Sequence, residues 1–534
     1  MKRHGWRLTT ALIALLILVP LAVVLASLFH PEREVWQHLL DHVLPGLLGN
    51  TLRLVLGVAT GVIFLGVSLA WLTAVCEFPG RRFFSWALLL PLAVPAYVTA
   101  FVYVALLDFT GPLQTALREL AGGPVAFPAI RSAGGVILVM SLALYPYVYL
   151  LARNAFLTQG RHALEVAQSL GYSRKAGFFK VALPLARPWI ISGLMLALME
   201  TLADFGTVAV FNYDTFTTAI YKTWFGLFSL QGASQLASVL IVLAFALIAA
   251  EQVSRRGVRF TQSGRHTQMQ RIVLHGHNAW LASAFAALVL LIAFIIPVVQ
   301  LLSWAGKVAA QDLDARYFDF LWHSLLLGGM AALLIVVTAL ILTYAQRQHN
   351  DLWTHTMVKI ATLGYAVPGS VLAVGIVIPL AWLDQQLIGA ARHWFGIETG
   401  LILQGTLLVM LPAYLTRFLA VGYNPLDSAM QRVTRNLDDA ARSFGLTGIA
   451  MLRRVHLPIL RGGILSAAAL VFVDVMKEMP ITLMTRPFGW DTLAIRIFEM
   501  TSEGEWERAA LPAIALVLAG LLPIALLIKH TEKS

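Results

Sequence analysis

Cysteine is nearly absent: Cys76 is the one thiol in 534 residues. That excludes a disulfide framework within the chain and any metal site built from several thiolates. Charge is scarce as well, with 13% of residues charged and 58% hydrophobic. Mean hydropathy is +0.76. Soluble domains run nearer 45–50% apolar and about 25% charged. The motifs of bond chemistry are missing too. No Gly-x-x-x-x-Gly-Lys-Ser/Thr loop is present to cradle a nucleotide, and no His-Glu-x-x-His, Gly-x-Ser-x-Gly or dinucleotide fingerprint occurs. No catalytic residue, resident metal or cofactor is therefore expected on this chain. Energy drawn from ATP would have to come from another subunit.

What the chain does have is a succession of long apolar runs. Runs of about 18 or more residues imply membrane spans, and continuous rather than alternating runs imply helices rather than a barrel. Twelve spans fit, at 8–29, 51–75, 84–107, 133–152, 188–211, 235–251, 279–304, 322–345, 357–383, 399–420, 462–485 and 509–528. The expected class is an all-α, polytopic membrane protein. Lys2, Arg3 and Arg7 precede the first run, which is too long for a signal core and lacks a small-residue cleavage site, so it reads as a retained span. An even number of crossings puts both termini on one side. Most Lys and Arg fall on that side, whereas the opposite loops are acidic at Asp312, Asp314, Asp319, Glu503, Glu505 and Glu507. Both termini are therefore expected in the cytoplasm. The net charge of +11 follows from this loop bias and does not point to nucleic acid.

The sequence also repeats. Asn50-Thr51-Leu52 matches His323-Ser324-Leu325, Trp71 matches Tyr344, and Val94-Pro95 matches Val367-Pro368. Gly171 matches Gly445, Leu183-Pro184 matches Leu457-Pro458, Glu200 matches Asp474, and Asp204 matches Glu478. All these pairs share one spacing to within a residue, which indicates duplication. Six spans followed by six makes the repeats parallel. The expected division is a first half at 1–253, a basic cytosolic linker at 254–278 and a second half at 279–534. His266, His275 and His277 in the linker read as surface rather than as metal ligands.

Each half carries one polar loop, at about 160–184 and about 434–458. Glu165-Val166-Ala167-Gln168-Ser169-Leu170-Gly171 is followed by Val181-Ala182-Leu183-Pro184. Asp439-Ala440-Ala441-Arg442-Ser443-Phe444-Gly445 is followed by Val455-His456-Leu457-Pro458. The spacing predicts a short helix with the acid near its start and a left-handed glycine at its stop. Ser173 or Thr447 then caps a second helix, and Pro184, Pro188 and Pro458 break the chain before the next span, with Pro188 in that span's first turn.

Acid-x-Ala, three residues, Gly, nine residues, Val-x-Leu-Pro resembles the EAA signature of permease subunits in binding-protein-dependent ABC importers, and it is matched twice. The resemblance covers essentially the whole chain. It implies two fused halves of the type I importer fold, two copies of a cytosolic ABC ATPase that carry the ATP, a periplasmic substrate-binding protein, and the bacterial inner membrane as location. Carried over by position, Glu165, Ala167 and Gly171 would meet one ATPase copy, and Asp439, Ala441 and Gly445 the other. Val166 and Asp439 depart from the family's alanine and glutamate, which suggests unequal docking points. Glu200-Thr201-Leu202-Ala203-Asp204-Phe205-Gly206-Thr207, Asp474-Val475-Met476-Lys477-Glu478-Met479-Pro480 and Leu92-Ala93-Val94-Pro95-Ala96-Tyr97 are similar to ferric-iron permeases. Thiamine, polyamine, sulfate and phosphonate permeases share the architecture.

Five charged residues lie within two matched spans. Glu200 and Asp204, and then Asp474 and Glu478, fall four residues apart on one expected helix face, with Lys477 added in the second half. Each costs about 2.5–3.5 kcal/mol at mid-membrane, so they should face the bundle interior. Two readings stand: they line a translocation path, or Lys477 pairs with Asp474 or Glu478 to hold helices together. Arg53 reads as snorkelling to the outer interface, and Tyr97, Tyr103, Tyr145, Tyr147 and Tyr149 mostly as interfacial aromatics. The rivals are a secondary transporter with parallel repeats, for which Gly80-Arg81-Arg82 is weak support, and a membrane-embedded enzyme, which lacks a catalytic constellation.

Overall fold

The computed structural model describes residues 3–29, 33–169, 171–255, 271–349, 351–446 and 448–531. Eleven described helices are long and apolar enough to cross a membrane. The twelfth expected span falls on Ala510–Thr531, whose described apolar part, Ala510–Pro523, is shorter. Among the described residues the one sheet is a pair of two-residue strands, Cys76–Glu77 and Ile272–Val273, paired in parallel. That pairing draws the C-terminal end of the linker against the end of the second span. Linker residues 256–270, including His266, lie outside the described residues.

The two halves interlock. The first helix, Arg3–Ala26, packs on Leu352–Ala361 and Gly369–Phe395 of the second half. The seventh span, His277–Asp312, reciprocates by packing on Arg81–Ala87 and Ala96–Leu107 of the first. One apolar core accordingly contains Ile17, Leu21 and Val24 together with Leu372, Ala373 and Ile376. Another joins Val98 and Phe101 to Leu301, Ala513 and Leu516.

In lipid, helices associate through close packing rather than through exclusion of water, and small residues at crossings permit it. Gly57 and Gly61 do so where Leu44–Val75 crosses Ala133–Ser169. A Cβ would lie 2.5 Å from Ile137 Cδ1 at Gly57, and 2.2 Å from Ser141 Oγ at Gly61.

Two pairs of spans start elsewhere than expected, and they shift alike. The third and ninth begin at Ala96 and Gly369, not at 84 and 357. Pro95 and Pro368 push the preceding Val94 and Val367 into extended conformations, which separates the short helices Arg81–Ala87 and Leu352–Ala361 from the spans. The fifth and eleventh spans begin earlier, each through a wider π-helical turn, and stop at Ala203 and Lys477. Pro184 and Pro458 follow those π turns, at the start of the helices Leu183–Ala203 and Leu457–Lys477, and Pro188 lies inside the first of these, so no break precedes either span.

The tyrosines correct the interfacial reading. Tyr97, Tyr103, Tyr145 and Tyr149 are buried. Tyr145 donates to the Leu88 carbonyl and Tyr149 to the Ser85 carbonyl, both at 2.9 Å. A phenol that reaches a free backbone carbonyl at a helix break satisfies two polar groups at once, and so belongs inside the bundle.

Candidate functional site

The two polar loops differ in form. In the first half no separate helix exists: Ala133–Ser169 runs continuously from the fourth span through Glu165 and Ala167, whose side chains lie outside the described residues. Gly171 follows at φ +79°, exposed. Ser173 caps Arg174–Gly177, its Oγ accepting from Ala176 N at 3.3 Å.

In the second half the tenth span ends at Gln431 and a separate helix runs from Arg435 to Ser443. Gly445 takes φ +74°, and Leu446 N reaches the Ala441 carbonyl at 3.0 Å, which closes the end in a Schellman-type turn. Thr447 lies outside the described residues. Asp439 points outward and pairs with Arg442 at 2.9 Å. Ala441 is buried, whereas Leu437 and Phe444 are exposed, Phe444 at 84%.

The neighbouring acid, Asp438, anchors this helix, and sequence reasoning assigned it nothing. Its Oδ2 accepts from Arg347 Nε at 3.0 Å and Nη2 at 2.7 Å, and its Oδ1 lies 2.8 Å from His456 Nε2. Arg347 Nη2 also donates to the Thr434 carbonyl. Burial alone would raise the Asp438 carboxyl, but the hydrogen bonds from His456 and Arg347 outweigh it and hold the group below the ordinary range. The repeat offers a signal for this site: the equivalent positions in the first half are Ala74, Leu164 and Ala182, so all three polar groups are peculiar to the second half.

The intramembrane charges converge near the contact between halves, but not as two i, i+4 pairs on continuous helices. Asp204 and Glu478 lie just beyond the helix ends, in extended conformation. Each caps the short helix that follows. Asp204 accepts from Val208 N at 3.2 Å and Thr207 Oγ1 at 2.9 Å. Glu478 accepts from Ile481 N at 3.0 Å and Thr482 N at 3.1 Å. A broken helix in lipid exposes backbone N–H groups, and a carboxylate at the break satisfies them.

Glu200 is held from the opposite half, accepting from the Tyr365 hydroxyl at 2.9 Å. Lys477 reaches the other way and donates to the Leu92 carbonyl at 3.1 Å. Leu92 and Tyr365 are repeat equivalents, so each half is held by the other at the same position. Asp474 lies within electrostatic range of Glu200, Lys477 and Arg417. Arg417 was also missed. It is a buried guanidinium inside an apolar run, and it donates to the Val367 carbonyl at 3.1 Å. Among the described residues no three His, Cys, Asp or Glu side chains gather as a metal site.

Comparison with known proteins fits this architecture. Residues 62–256 match the family model "Binding-protein-dependent transport system inner membrane component". The chain is similar to the Fe(3+)-transport system permease protein FbpB 2 of Haemophilus influenzae, 28% identical over 91% of this chain and 90% of that one. It is also similar to PhnV of Salmonella typhimurium, named for 2-aminoethylphosphonate transport, 25% identical over 45% of this chain and 90% of the relative. The molybdenum transport system permease protein ModB of Escherichia coli is 29% identical over 34% of this chain and 79% of its own. This chain is therefore an all-helical, polytopic membrane protein whose residues 62–256 match the inner membrane component of binding-protein-dependent transport systems, and nine-tenths of it is similar to a transport system permease protein.

Proposed function

We propose that this permease carries ferric iron across the bacterial inner membrane, driven by two copies of an ABC ATPase and supplied by a periplasmic binding protein. The observation that carries the substrate is the extent of likeness to the iron(III) permease, which runs through both halves, whereas the phosphonate and molybdenum relatives match less than half of the chain. The loops around Gly171 and Gly445 are the proposed docking points for the ATPases, with both termini on the same, cytoplasmic side. Two supports are the exposed left-handed glycines and the bare Phe444 beside the second. Closure of the ATPases would move the loops and tilt the spans continuous with them. In the first half that lever is one helix, Ala133–Ser169.

Glu200 and Asp474 are the proposed path residues, because they come within electrostatic range of one another between the halves. Asp204, Lys477 and Glu478 would form the path's walls through their caps and cross-links. Oxygen ligands suit a hard trivalent cation in transit, and dispersed carboxylates favour passage over retention.

The test is uptake by proteoliposomes containing this chain, its ATPase and its binding protein, with labelled iron(III), thiamine, spermidine, sulfate and 2-aminoethylphosphonate compared. ATP-dependent iron uptake is expected. ATP-dependent uptake of another solute without iron would refute the substrate, and uptake on an ion gradient without ATP would refute the coupling.

A further inference from the structure

Where the second span ends, two guanidiniums pair with one carboxylate and two more lie within electrostatic range. Arg81, nine-tenths buried, sits 3.0 Å from Glu77 Oε2 through Nε and donates to the Thr73 carbonyl through Nη1. Arg271 reaches the same Glu77 oxygen at 3.6 Å. It is brought there by the strand pairing, which Leu274 N extends by donating to the Glu77 carbonyl at 3.0 Å. Arg82 and Arg153 complete the group around Arg271. The Nε atoms of Arg153 and Arg271 are buried and have no hydrogen-bond partner. Burial first, and the Arg81 charge next, pull Arg271 below its ordinary range. Among the described residues four cations face one anion, which leaves an uncompensated charge, and orphaned buried donors are costly.

Topology does not require this cluster. The equivalents of Glu77, Arg81, Arg82 and Arg153 in the second half are Asn350, Thr354, His355 and Asp427, none of them a lysine or arginine. The surroundings match the rim of a bilayer. Phe83 and Trp86 are exposed on the same short helix, their rings 5.3 Å apart, and Trp280 is exposed nearby, where Ser283 donates to the Pro79 carbonyl at 2.8 Å.

We propose that Arg81, Arg82, Arg153 and Arg271 bind a phosphate-bearing anion, the headgroup of an anionic phospholipid, at the seam between the linker and the first half. The orphaned Nε donors would take phosphate oxygens, and acyl chains would lie along Phe83 and Trp86. The bound group would join the linker strand to the fourth span. Basic pockets among spans are suited to such headgroups.

The test uses the full chain in neutral detergent, with lipid retention read by native mass spectrometry after exchange with phosphatidylglycerol or phosphatidylcholine. Wild type should keep phosphatidylglycerol selectively. Arg153→Gln with Arg271→Gln should weaken its retention at least tenfold. Exposed Arg82→Gln should weaken it a few fold, and serves if the double variant fails to fold. A second arm adds millimolar inorganic phosphate. No displacement assigns the site to a headgroup, whereas displacement with thermal stabilisation by phosphate alone assigns it to the free anion. Equal retention of both lipids without any phosphate effect, or variants that bind as wild type does, overturns the site.

Discussion

Replacing Asp438 by Asn should free the helix Arg435–Ser443 from the bundle. The carboxylate receives two bonds from Arg347 and faces His456 at 2.8 Å, with only 12% of its side chain exposed. Breaking a buried charge pair costs about 3–5 kcal/mol, and one hydrogen bond to a charged group about 1.5–3 kcal/mol. Asn keeps the shape and one acceptor but turns an NH2 group toward a donor. The partly open site brings the expected cost to about 2–3 kcal/mol, which is about 30- to 140-fold in the docked-to-undocked ratio. The cost is local to 435–445. Hydrogen exchange of peptides covering 432–446 should rise by that factor, while 160–172 stays unchanged. Arg442→Ala, which breaks the exposed pair with Asp439, should shift exchange little, since such pairs are worth about 0–1 kcal/mol. Acid should mimic Asp438→Asn. A carboxyl held below its ordinary range stabilises fully above that range, and the contribution is lost as pH falls through the lowered value, hence below about pH 4. Unchanged exchange in Asp438→Asn, or an equal effect from Arg442→Ala, would refute the anchor.

Gly445→Val should strain a backbone at φ +74° by about 1–2 kcal/mol and reduce ATPase co-purification, with Gly171→Val acting likewise at φ +79°. Tyr365→Phe removes the donor to Glu200 and should lower the melting temperature and slow uptake; retention of both would show that this cross-link holds nothing. Asp384 accepts from Ile402, Leu403 and Gln404 N, so Asp384→Ala removes the shared acceptor of three amides and should lower the thermal unfolding temperature; an unchanged temperature would show that this turn does not depend on it. Asp204→Asn separates cap from path. If the acid serves chiefly as a cap, Asn should preserve most stability and transport while Asp204→Ala loses both; if its charge meets substrate, Asn should abolish uptake at an unchanged melting temperature.

Hydropathy made the spans legible because lipid permits few solutions: a long apolar run must be a helix. It misplaced the starts of the third and ninth because apolarity continues through Leu88–Val94 and Leu363–Val367, and hydropathy does not register the backbone effect of Pro95 and Pro368. The tyrosines were misread for a related reason. Frequency places Tyr at the interface, but the carbonyls freed by those breaks create inward partners for Tyr145 and Tyr149. Gly57 and Gly61 were readable as a small-x-x-x-small crossing, yet which helix they meet depends on the third dimension.

The repeat was legible as symmetry, but the informative positions are those where it fails. Glu200 and Asp474 match, and so do the caps Asp204 and Glu478, which fixes the common frame. Against that frame each half adds one charged device of its own. The second half holds its helix through Arg347, Asp438 and His456, where the first has Ala74, Leu164 and Ala182. The first half gathers arginines at its linker, where the second has Asn350, Thr354, His355 and Asp427. If the two loops dock as proposed, one chain that holds each half once can diverge in this way, because a residue can suit one docking point without being imposed on the other. The first loop thus continues the helix of a span, and the second is a separate helix held by a salt bridge. On the proposed docking, motion of an ATPase at the first loop would pass directly along Ala133–Ser169. At the second it would pass through Asp438, and Asp438→Asn would then cut coupling in that half without touching the other.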